Sequence, residues 1–304
     1  MGMEQGGNRR PPDGSQHEGP GERRSLRAFD GHPRPRTPSS LIPTAKNRRH
    51  GPPDYAATSK RSVIDESCSS VIVRACNLEG VHMRTIAVTI NKGGVGKTML
   101  TKSLATAATA VGLNVLILDM DTQQNSTSWG RRRVKQHDKP LPLARFTTEH
   151  DLSEELQRAE NAGCDLVFID TPPGRNSEAP AAVESSDLVL IPFWNDQDAY
   201  EGVAKTAMLV KRIGKSAVGV LNFATPNSRS HEETARVVLQ AIPLLMAPVV
   251  LHRYDAHRLA NIKGLTAQEI EPDSVAAQEI AALWEWFSAT VQFGSSAEVH
   301  KGAA

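Results

Sequence analysis

The stretch from Thr85 to Thr98, which reads TIAVTINKGGVGKT, decides the fold of this chain. It begins as an apolar, β-branched run, passes through a glycine cluster and ends at a lysine–threonine pair that opens a helix-forming segment. This order predicts a strand, a tight loop and the first turn of a helix. In such a loop the glycines let backbone amides converge on an anion, and the dipole of the following helix adds positive potential there. The stretch therefore predicts a phosphate-binding loop.

The individual residues of this loop suit a nucleotide with its metal ion. Lys97 can reach the β- and γ-phosphates, and the Thr98 hydroxyl can bind Mg²⁺. The chain departs from the strict G-x-x-x-x-G-K-[ST] pattern because Asn91 replaces the first glycine. Asparagine tolerates left-handed backbone angles better than most residues, so the loop can still form. A second lysine, Lys92, precedes the glycine pair.

Composition places the chain among ordinary globular proteins. It has 304 residues, of which 39% are hydrophobic and 23% charged, and its formal net charge of +1 implies no acidic partner. The three cysteines, Cys68, Cys76 and Cys164, are widely spaced and indicate neither a disulfide framework nor a zinc site. The apolar run over residues 241–250 is far shorter than the roughly 20 residues that a membrane-spanning helix needs. We therefore expect a cytoplasmic protein with no membrane partner.

The N-terminal region differs in composition from the rest. Residues 1–60 contain nine prolines and eight glycines among paired arginines, with almost no apolar periodicity. Such a segment buries too little surface to offset its chain entropy, so we expect residues 1–82 to form a disordered extension. A basic arm that contacts DNA is an alternative, although acidic residues interrupt its charge. A further hypothesis is that Met83 is the native translation start and that residues 1–82 are not made.

From Met83 onward the sequence alternates between predicted strands and predicted helices. The strands predicted after the first are 115–118, 166–169, 188–192, 218–222 and about 247–251. The helices predicted after the one that follows the loop are 152–162, 199–213, 231–241 and 275–287. Residues 131–148 are predicted to be a surface excursion, and residues 291–304 a flexible tail. The alternation predicts one α/β domain over residues 83–290, with a mostly parallel sheet, helices on both faces and ligands at the strands' carboxyl ends.

Acidic residues stand at two predicted strand ends beside the loop. The second strand is followed by Asp119 and Asp121, and the run CDLVFIDTPPG ends its strand at Asp170. Carboxylates at this edge of the sheet can hold Mg²⁺ and orient an attacking water. A D-x-D pair by itself is as well explained by a helix cap or a solvated turn, but its place after an apolar strand favours chemistry. Together with the loop, these elements predict a nucleotide-binding site.

These segments together resemble the deviant Walker A P-loop ATPases of the ParA/MinD family. KGGVGKT is similar to their Walker A box, DMDTQQNSTSW to their Walker A′ segment, and CDLVFIDTPPG to their Walker B strand. The likeness covers residues 84–287 and is nearest to short partition ATPases that lack an N-terminal DNA-binding domain. It implies the fold of a P-loop NTPase, Mg²⁺-dependent ATP hydrolysis, and ATP and Mg²⁺ as cofactors.

The resemblance also implies roles for individual residues. Lys92 is expected to be the signature lysine that reaches across an ATP-dependent dimer, and Asp121 is expected to position the hydrolytic water. Asn222 matches the position that recognises adenine, although a strand-terminal asparagine is often only a turn residue. The implied catalytic residues are Lys92, Lys97 and Asp121. The implied nucleotide-binding residues are Lys92, Gly93, Gly94, Val95, Gly96, Lys97, Thr98, Met99 and Asn222. The implied metal-binding residues are Thr98, Asp119 and Asp170.

Two departures from the family pattern bear on turnover. The family usually has a second threonine where this chain has Met99, and a proline where it has Thr122. Neither change removes a charged group, but the hydrolysis rate is expected to differ.

The resemblance implies a partition ATPase that segregates plasmid or chromosome DNA. Such a protein dimerises on ATP, binds DNA nonspecifically and so associates with the nucleoid, and hydrolyses ATP when a ParB-like or other partner stimulates it. Nonspecific binding would use basic surface residues against phosphates. The candidates are Lys205, Lys211, Arg212, Lys215, Arg229, Arg253, Arg258 and Lys263.

Other functions are compatible with the same sequence motifs. A ParA-like ATPase that positions another cargo, such as a conjugative transfer complex, a cellulose-synthesis complex or a chemoreceptor cluster, stays open. A MinD-like membrane ATPase would need a C-terminal amphipathic basic helix, which FGSSAEVHKGAA does not provide. A nitrogenase-like iron protein would need a pair of thiolates, and the predicted domain holds Cys164 alone. A small-molecule kinase or synthetase would not need Lys92.

Overall fold

The computed structural model describes residues 82–174, 177–226, 228–242 and 244–291. Apart from His82 and Val291, the predicted N-terminal extension and C-terminal tail lie outside these residues. Their disorder, and the proposed start at Met83, therefore stay predictions.

Strands and helices alternate along the described residues. The strands are β1 Arg84–Val88, β2 Val115–Asp119, β3 Leu143–Phe146, β4 Leu166–Asp170, β5 Leu188–Phe193, β6 Ser216–Leu221 and β7 Leu245–Met246. The helices are α1 Lys97–Ala110, α2 Asn125–His137, α3 Leu152–Asn161, α4 Glu178–Glu184, α5 Gln197–Ile213, α6 Arg229–Ala241, α7 Asp255–Ile262, α8 Ala267–Ile270 and α9 Val275–Val291.

The strands form one sheet in the order β3-β2-β4-β1-β5-β6-β7. Every ladder between these described strands is parallel, which confirms the predicted α/β class. The first strand, β1, lies between β4 and β5, so the loop that follows it leaves from the middle of the sheet. In the parallel registers Asp170 pairs with Val88 on one side and with Asp119 on the other. The topology therefore brings both carboxylates to the edge where the loop begins.

Helices cover both faces of this sheet, as the apolar strands predict. On β1, Ile86 and Val88 join one buried cluster with residues of α1 and α9. Ala87, between them, joins a second buried cluster with residues of α3, α4, α5 and α6. Because successive side chains of a strand point to opposite faces, burial on both faces requires an uninterrupted apolar run. This explains why the central strands are the easiest elements to predict from the sequence.

Two predictions at the edges of the sheet are wrong. The last strand lies at Leu245–Met246 rather than at residues 247–251, and a bridge between His252 and Ala224 follows those residues. Pro248, inside the predicted strand, has no amide hydrogen to donate to a ladder, which explains the shift. Residues 131–148 are not a surface excursion, because they hold the end of α2 and the edge strand β3. Side chains of β3 alternate between exposed and half-buried, so this strand has no continuous apolar run.

Candidate nucleotide-binding site

The glycine-rich loop connects β1 to α1 through two left-handed residues. Gly94 and Gly96 have φ angles of 76° and 89°, a conformation that glycine adopts without steric cost. Gly96 is the N-cap of α1, so the free amides of the first helical turn follow it directly. A Cβ atom on Gly96 would lie 2.3 Å from Nδ2 of Asn222 and 2.8 Å from the ring of Phe223. Backbone conformation and close packing therefore both require glycine at this position.

The two lysines of the loop point in different directions. Lys97 is buried, and its Nζ donates to the backbone oxygens of Ile90 at 3.4 Å and Lys92 at 3.1 Å. The ammonium group of Lys97 thus lies inside the loop, and burial lowers its pKa, an effect that the charge of Asp170 opposes. Nζ of Lys92 instead donates to Oδ2 of Asp198 on α5, at 2.7 Å, and the hydrogen bond to Asp198 raises its pKa. The Lys97 ammonium group therefore lies inside the loop, whereas the Lys92 ammonium group lies at the edge of the loop, beside α5.

The two strand-end carboxylates are held by the first turn of α2. The Ser126 hydroxyl donates to Oδ2 of Asp170 at 2.7 Å, and the amide of Thr127 donates to Oδ2 of Asp119 at 2.8 Å. The other oxygen of Asp119 accepts from the amide of Asp121 at 3.2 Å. Both oxygens of Asp119 are therefore engaged within the protein, whereas Asp170 uses one of its two.

The second oxygen of Asp170, Oδ1, is the best-supported contact for a metal ion. It is buried and has no hydrogen-bond partner among the described residues. Burial, together with the charge of Asp119, raises the pKa of Asp170 to about 6, while the hydroxyls of Ser126 and Thr98 act in the opposite direction. An unpaired carboxylate oxygen near a threonine hydroxyl suits Mg²⁺, which takes one or two protein oxygens and completes its shell with phosphates and water. Asp170 and Thr98 fit this ion, and the saturated Asp119 fits it less well.

Asp121 is a half-buried carboxylate at the start of the segment that leads into α2. Its Oδ1 accepts from the amide of Gln123 at 2.9 Å, and its backbone oxygen accepts from the amide of Gln124 at 2.8 Å. These two bonds fix the turn that carries the carboxylate. The predicted role of Asp121 in positioning water stays a prediction.

Asn222 lies behind the loop in this structure. It is fully buried, and its Nδ2 donates to the backbone oxygen of Val95 at 2.8 Å. Its Oδ1 accepts from the amide of Phe223, which has a left-handed φ of 53°. The side chain therefore braces the loop, and the predicted contact between Asn222 and adenine stays a prediction.

A cavity of about 730 Å³ extends from the loop toward α7. At one end it is lined by loop and α1 residues, including Gly94, Thr98 and Met99. At the other end it is lined by the segment that enters α7 and by α7 itself. Its volume lies within the range of small-molecule sites. This second wall was not predicted from the sequence, because a short helix with mixed residues carries no strong periodicity.

Lys102 is a further residue of the cavity wall that was not predicted from the sequence. It lies one turn into α1 beyond Thr98, is 5% exposed, and its Nζ donates to Oδ1 of Asn261 on α7 at 3.1 Å. It also lies 5.7 Å from the ring centre of Trp129. Burial lowers the pKa of Lys102 to about 8, although the charge of Asp170 opposes this effect. Helical spacing from Thr98 was the available sequence signal.

Replacement of this buried cation is expected to stabilise the nucleotide-free protein. Lys102→Met should raise the free energy of unfolding at pH 7 by about 1–3 kcal/mol, since each unit of pKa shift corresponds to about 1.4 kcal/mol. The pKa is lower in the folded state, so the unfolded chain binds more protons between about pH 8 and 10.5, and wild-type stability rises with pH over that range. The advantage of the variant should therefore shrink as the pH rises.

Urea unfolding at pH 7 and at about pH 10 measures this difference. Lys135→Met, on the exposed side of α2, is the matched control and should change stability by less than about 0.5 kcal/mol. A variant that is no more stable than the wild type at pH 7 would contradict the prediction.

The basic residues suggested for DNA binding fall into different environments. Arg253 and Arg258 line the cavity, and Lys215 donates to the backbone oxygen of Ser186 at 2.7 Å. Lys211 and Arg212 lie exposed at the end of α5. These residues therefore have different surroundings, and their predicted contact with DNA stays a prediction.

The loop and the adjacent strand-end carboxylates define the class of the protein as a P-loop nucleotide-binding α/β protein. The sequence from residue 86 to 281 matches the family described as the CobQ/CobB/MinD/ParA nucleotide binding domain. This chain belongs to that family, and the predicted ParA/MinD resemblance is confirmed. It is accordingly a nucleotide-binding ATPase of the ParA/MinD type.

Named relatives point to more than one task within the family. A protein called maintenance of carboxysome distribution protein A, from Gloeobacter kilaueensis, is 30% identical over 61% of this chain and 84% of its own length. The chromosome-partitioning ATPase Soj of Thermus thermophilus is 32% identical over 40% of this chain and 59% of its own length.

Solved structures of the same fold include two with similar coverage. The MinC:MinD cell division protein complex of Aquifex aeolicus contains a chain with a TM-score of 0.56 and 16% identity, over 68% of this chain and 96% of that one. The apo McdA structure from Cyanothece has a TM-score of 0.56 and 15% identity, over 68% of this chain and all of that one. At this identity the two structures support the fold alone.

Among the described residues, none of the helices is both long and apolar enough to span a membrane.

Proposed function

We propose that this chain is a ParA-type partition ATPase. ATP and Mg²⁺ close a homodimer, the dimer binds duplex DNA without sequence preference, and a ParB-like or other partner stimulates hydrolysis and release. The protein would be cytoplasmic and would associate with the nucleoid in its ATP-bound form. Lys92, Lys97 and Asp121 would be the residues that act on the phosphates and the attacking water.

This proposal rests on the different directions in which the side chains of Lys92 and Lys97 point. Lys97 already supplies one internal ammonium group to the loop. Lys92 has a side chain that is 30% exposed and is bound to Asp198 at the rim, so it can reach a phosphate that does not belong to its own loop. A cation supplied across an interface makes dimerisation depend on ATP, because the nucleotide then binds the dimer better than the monomer.

The metal ion is supported by the orphaned oxygen of Asp170. In this proposal Thr98 and Asp170 hold Mg²⁺ beside the phosphates, and the ion neutralises charge that develops during phosphoryl transfer. Asp119 would act mainly by holding the turn that bears Asp121, because both of its oxygens are already bonded.

A related ATPase that positions another cargo is the second candidate. It is favoured by the relative named for carboxysome distribution, which matches over a larger share of this chain than the partition ATPase Soj does. Both candidates use the same ATP-dependent dimer. They differ in the cargo that the partner protein connects to it.

The dimer is tested with two variants of opposite expected behaviour. With ATP and Mg²⁺, wild-type protein should shift from monomer to dimer, measured by size-exclusion chromatography with light scattering. Asp121→Ala should form a stable ATP-bound dimer whose phosphate release is at least about tenfold slower, because loss of a water-positioning group leaves binding intact. Lys92→Ala should bind ATP and remain a monomer.

Lys135→Ala, which replaces an exposed lysine on α2, is the control for loss of one positive charge and should dimerise like the wild type. Normal turnover by Asp121→Ala would refute the assigned role of Asp121. A Lys92→Ala protein that still dimerises would refute the contribution across the interface.

DNA binding should depend on the nucleotide and on salt. Duplexes of unrelated sequence should bind equally well with ATP, and the affinity should fall steeply with salt because phosphate contacts release counterions. A filter-binding or anisotropy titration at several salt concentrations measures both effects. Lys211→Ala combined with Arg212→Ala should reduce the salt slope by about one to two units. Equal affinity in the presence of ADP and ATP would contradict the proposal.

A further inference from the structure

His257 lies on the buried side of α7, in the wall of the cavity that begins at the loop. Ala256 and Ala260 are the other residues that α7 buries, so the imidazole is a polar group within an apolar stripe. Its Nε2 atom is buried and has no hydrogen-bond partner in the described part of the chain. Because buried polar atoms in folded proteins are nearly always paired, we expect the partner of this atom to come from outside the described residues.

The imidazole is suited to an uncharged partner. Burial lowers the pKa of His257, so the ring is neutral at neutral pH. A neutral imidazole can donate or accept at Nε2, depending on its tautomer, but it supplies no positive charge to a phosphate. The partner expected at this wall is therefore a hydroxyl group or the polar edge of a base.

The two ends of the cavity suit different parts of such a ligand, although the α7 end also carries the charged residues Arg253, Asp255 and Arg258. Phosphates belong at the Gly94 and Thr98 end, beside the first turn of α1 with its free backbone amides. The rest of the cavity is then left for the nucleoside. His257 and Asn261 lie one helical turn apart on α7, and Asn261 is held by Lys102 of α1. This link fixes the α7 wall to the helix that follows the phosphate-binding loop.

We propose that His257 hydrogen-bonds through Nε2 to the nucleoside part of the bound nucleotide, at a ribose hydroxyl or at the base edge. The contact makes the cavity favour a nucleoside triphosphate over triphosphate alone. His257 is thus a specificity-determining residue and has no part in the chemical step. The inference rests on the proposed function in one respect, which is that the cavity holds ATP.

The test compares ATP with inorganic tripolyphosphate, using the full chain and isothermal titration calorimetry. His257→Phe should weaken ATP binding by about tenfold and change tripolyphosphate binding by less than about twofold, as expected for loss of one hydrogen bond. His257→Gln, whose amide nitrogen reaches the place of Nε2, should stay within about threefold of the wild type for both ligands. His150→Phe, at a histidine exposed on the surface, is the matched control and should change neither affinity.

Three analogues identify the group that is contacted. If it is a ribose hydroxyl, the wild type should lose about tenfold with 2′-deoxyATP or 3′-deoxyATP, and His257→Phe should lose nothing further with that analogue. If it is the base edge, the wild type should lose about tenfold in affinity with purine riboside triphosphate, which lacks the 6-amino group. His257→Phe should then lose nothing further with this analogue. Additive losses with all three analogues would overturn the proposal.

The other outcomes separate this inference from the proposed function. A His257→Phe protein that binds ATP like the wild type, or that loses ATP and tripolyphosphate equally, overturns the inference alone. Thermal unfolding of each variant shows whether such an equal loss reflects misfolding. If His257→Phe is misfolded, the affinities of His257→Gln for the two ligands decide the inference. A wild type that binds no ATP overturns both. A wild type that binds ATP without dimerising overturns the proposed function and leaves these titrations to decide the inference.

Discussion

Gly96→Ala is expected to destabilise the protein by about 2–5 kcal/mol and to weaken nucleotide binding by at least about 100-fold. The added Cβ would lie 2.3 Å from Nδ2 of Asn222 and 2.8 Å from the Phe223 ring. Asn222 cannot easily move, because it is fully buried and bonded to the backbone of Val95 and Phe223. Overpacking of this kind costs about 1–3 kcal/mol, and the left-handed φ of 89° adds about 1–2 kcal/mol for a residue with a Cβ.

Gly94→Ala separates the two causes. Gly94 has a similar left-handed φ of 76°, but a Cβ placed there would meet nothing within 4 Å. This variant should therefore lose only the conformational part, about 1–2 kcal/mol. Urea unfolding of both proteins measures the difference. Equal losses of stability in the two variants would show that Asn222 and Phe223 adapt, and that the close packing around Gly96 is not needed.

Arg133→Met is expected to destabilise the protein by about 3–5 kcal/mol, the usual effect of removing one partner from a buried ion pair. Arg133 lies on α2, and its side chain is 3% exposed. It donates to both oxygens of Glu269 on α8, at 2.6 and 3.0 Å, and to the backbone oxygen of Leu141 at 2.9 Å. Its guanidinium group also lies 4.7 Å from the ring centre of Trp129. Methionine fills a similar space but leaves the Glu269 carboxylate without its buried cation.

Lys139→Met is the matched control, because Lys139 binds the same carboxylate from an exposed position. Its Nζ lies 3.0 Å from Oε1 of Glu269, and its side chain is 49% exposed. Exposed ion pairs contribute less than about 1 kcal/mol, so this variant should remain close to the wild type. Thermal and urea unfolding compare the two proteins. Similar losses in both, or a stable Arg133→Met protein, would refute the role of the buried pair.

The pH dependence of the Arg133 effect has a definite sign. Burial alone would raise the pKa of Glu269, but the hydrogen bonds and charge of Arg133, together with the hydrogen bonds from Lys139 and the backbone of Thr266, outweigh it and lower the pKa. A carboxyl group with a depressed pKa contributes stability above its unfolded-state pKa and loses it as the pH falls through the folded-state pKa. The difference between the wild type and Arg133→Met should therefore shrink in acid, below about pH 4.5.

The loop and the strand-end acids could be predicted because their signals are local. A β-branched run followed by glycines and a lysine–threonine pair specifies a strand, a turn and a helix start within fourteen residues, from Thr85 to Thr98. Asp170 could be placed because parallel strands end at the same edge of the sheet. The edge elements β3 and β7 were missed or misplaced, because an edge strand has fewer buried neighbours to impose an apolar pattern.

The contacts around the cavity could not be predicted in this way. Lys102 meets Asn261 across 159 residues of sequence, and Arg133 meets Glu269 across 136. Neither pair has a spacing or composition that marks it, since each residue taken alone is an ordinary helical residue. Asn222 shows the same limit, because its position at a strand end was clear whereas its bond to Val95 required the folded loop.

The sequence by itself determined the fold class, the phosphate-binding loop and the carboxylates beside it, because these depend on residue order over one strand and one turn. Only the tertiary structure decided which atoms of those residues are free. It showed that both oxygens of Asp119 are bonded, that one oxygen of Asp170 is not, and that Lys92 and Lys97 point apart. It also placed His257 in the cavity wall. Burial and hydrogen bonding between distant segments set these properties, and they exist only once the chain has packed.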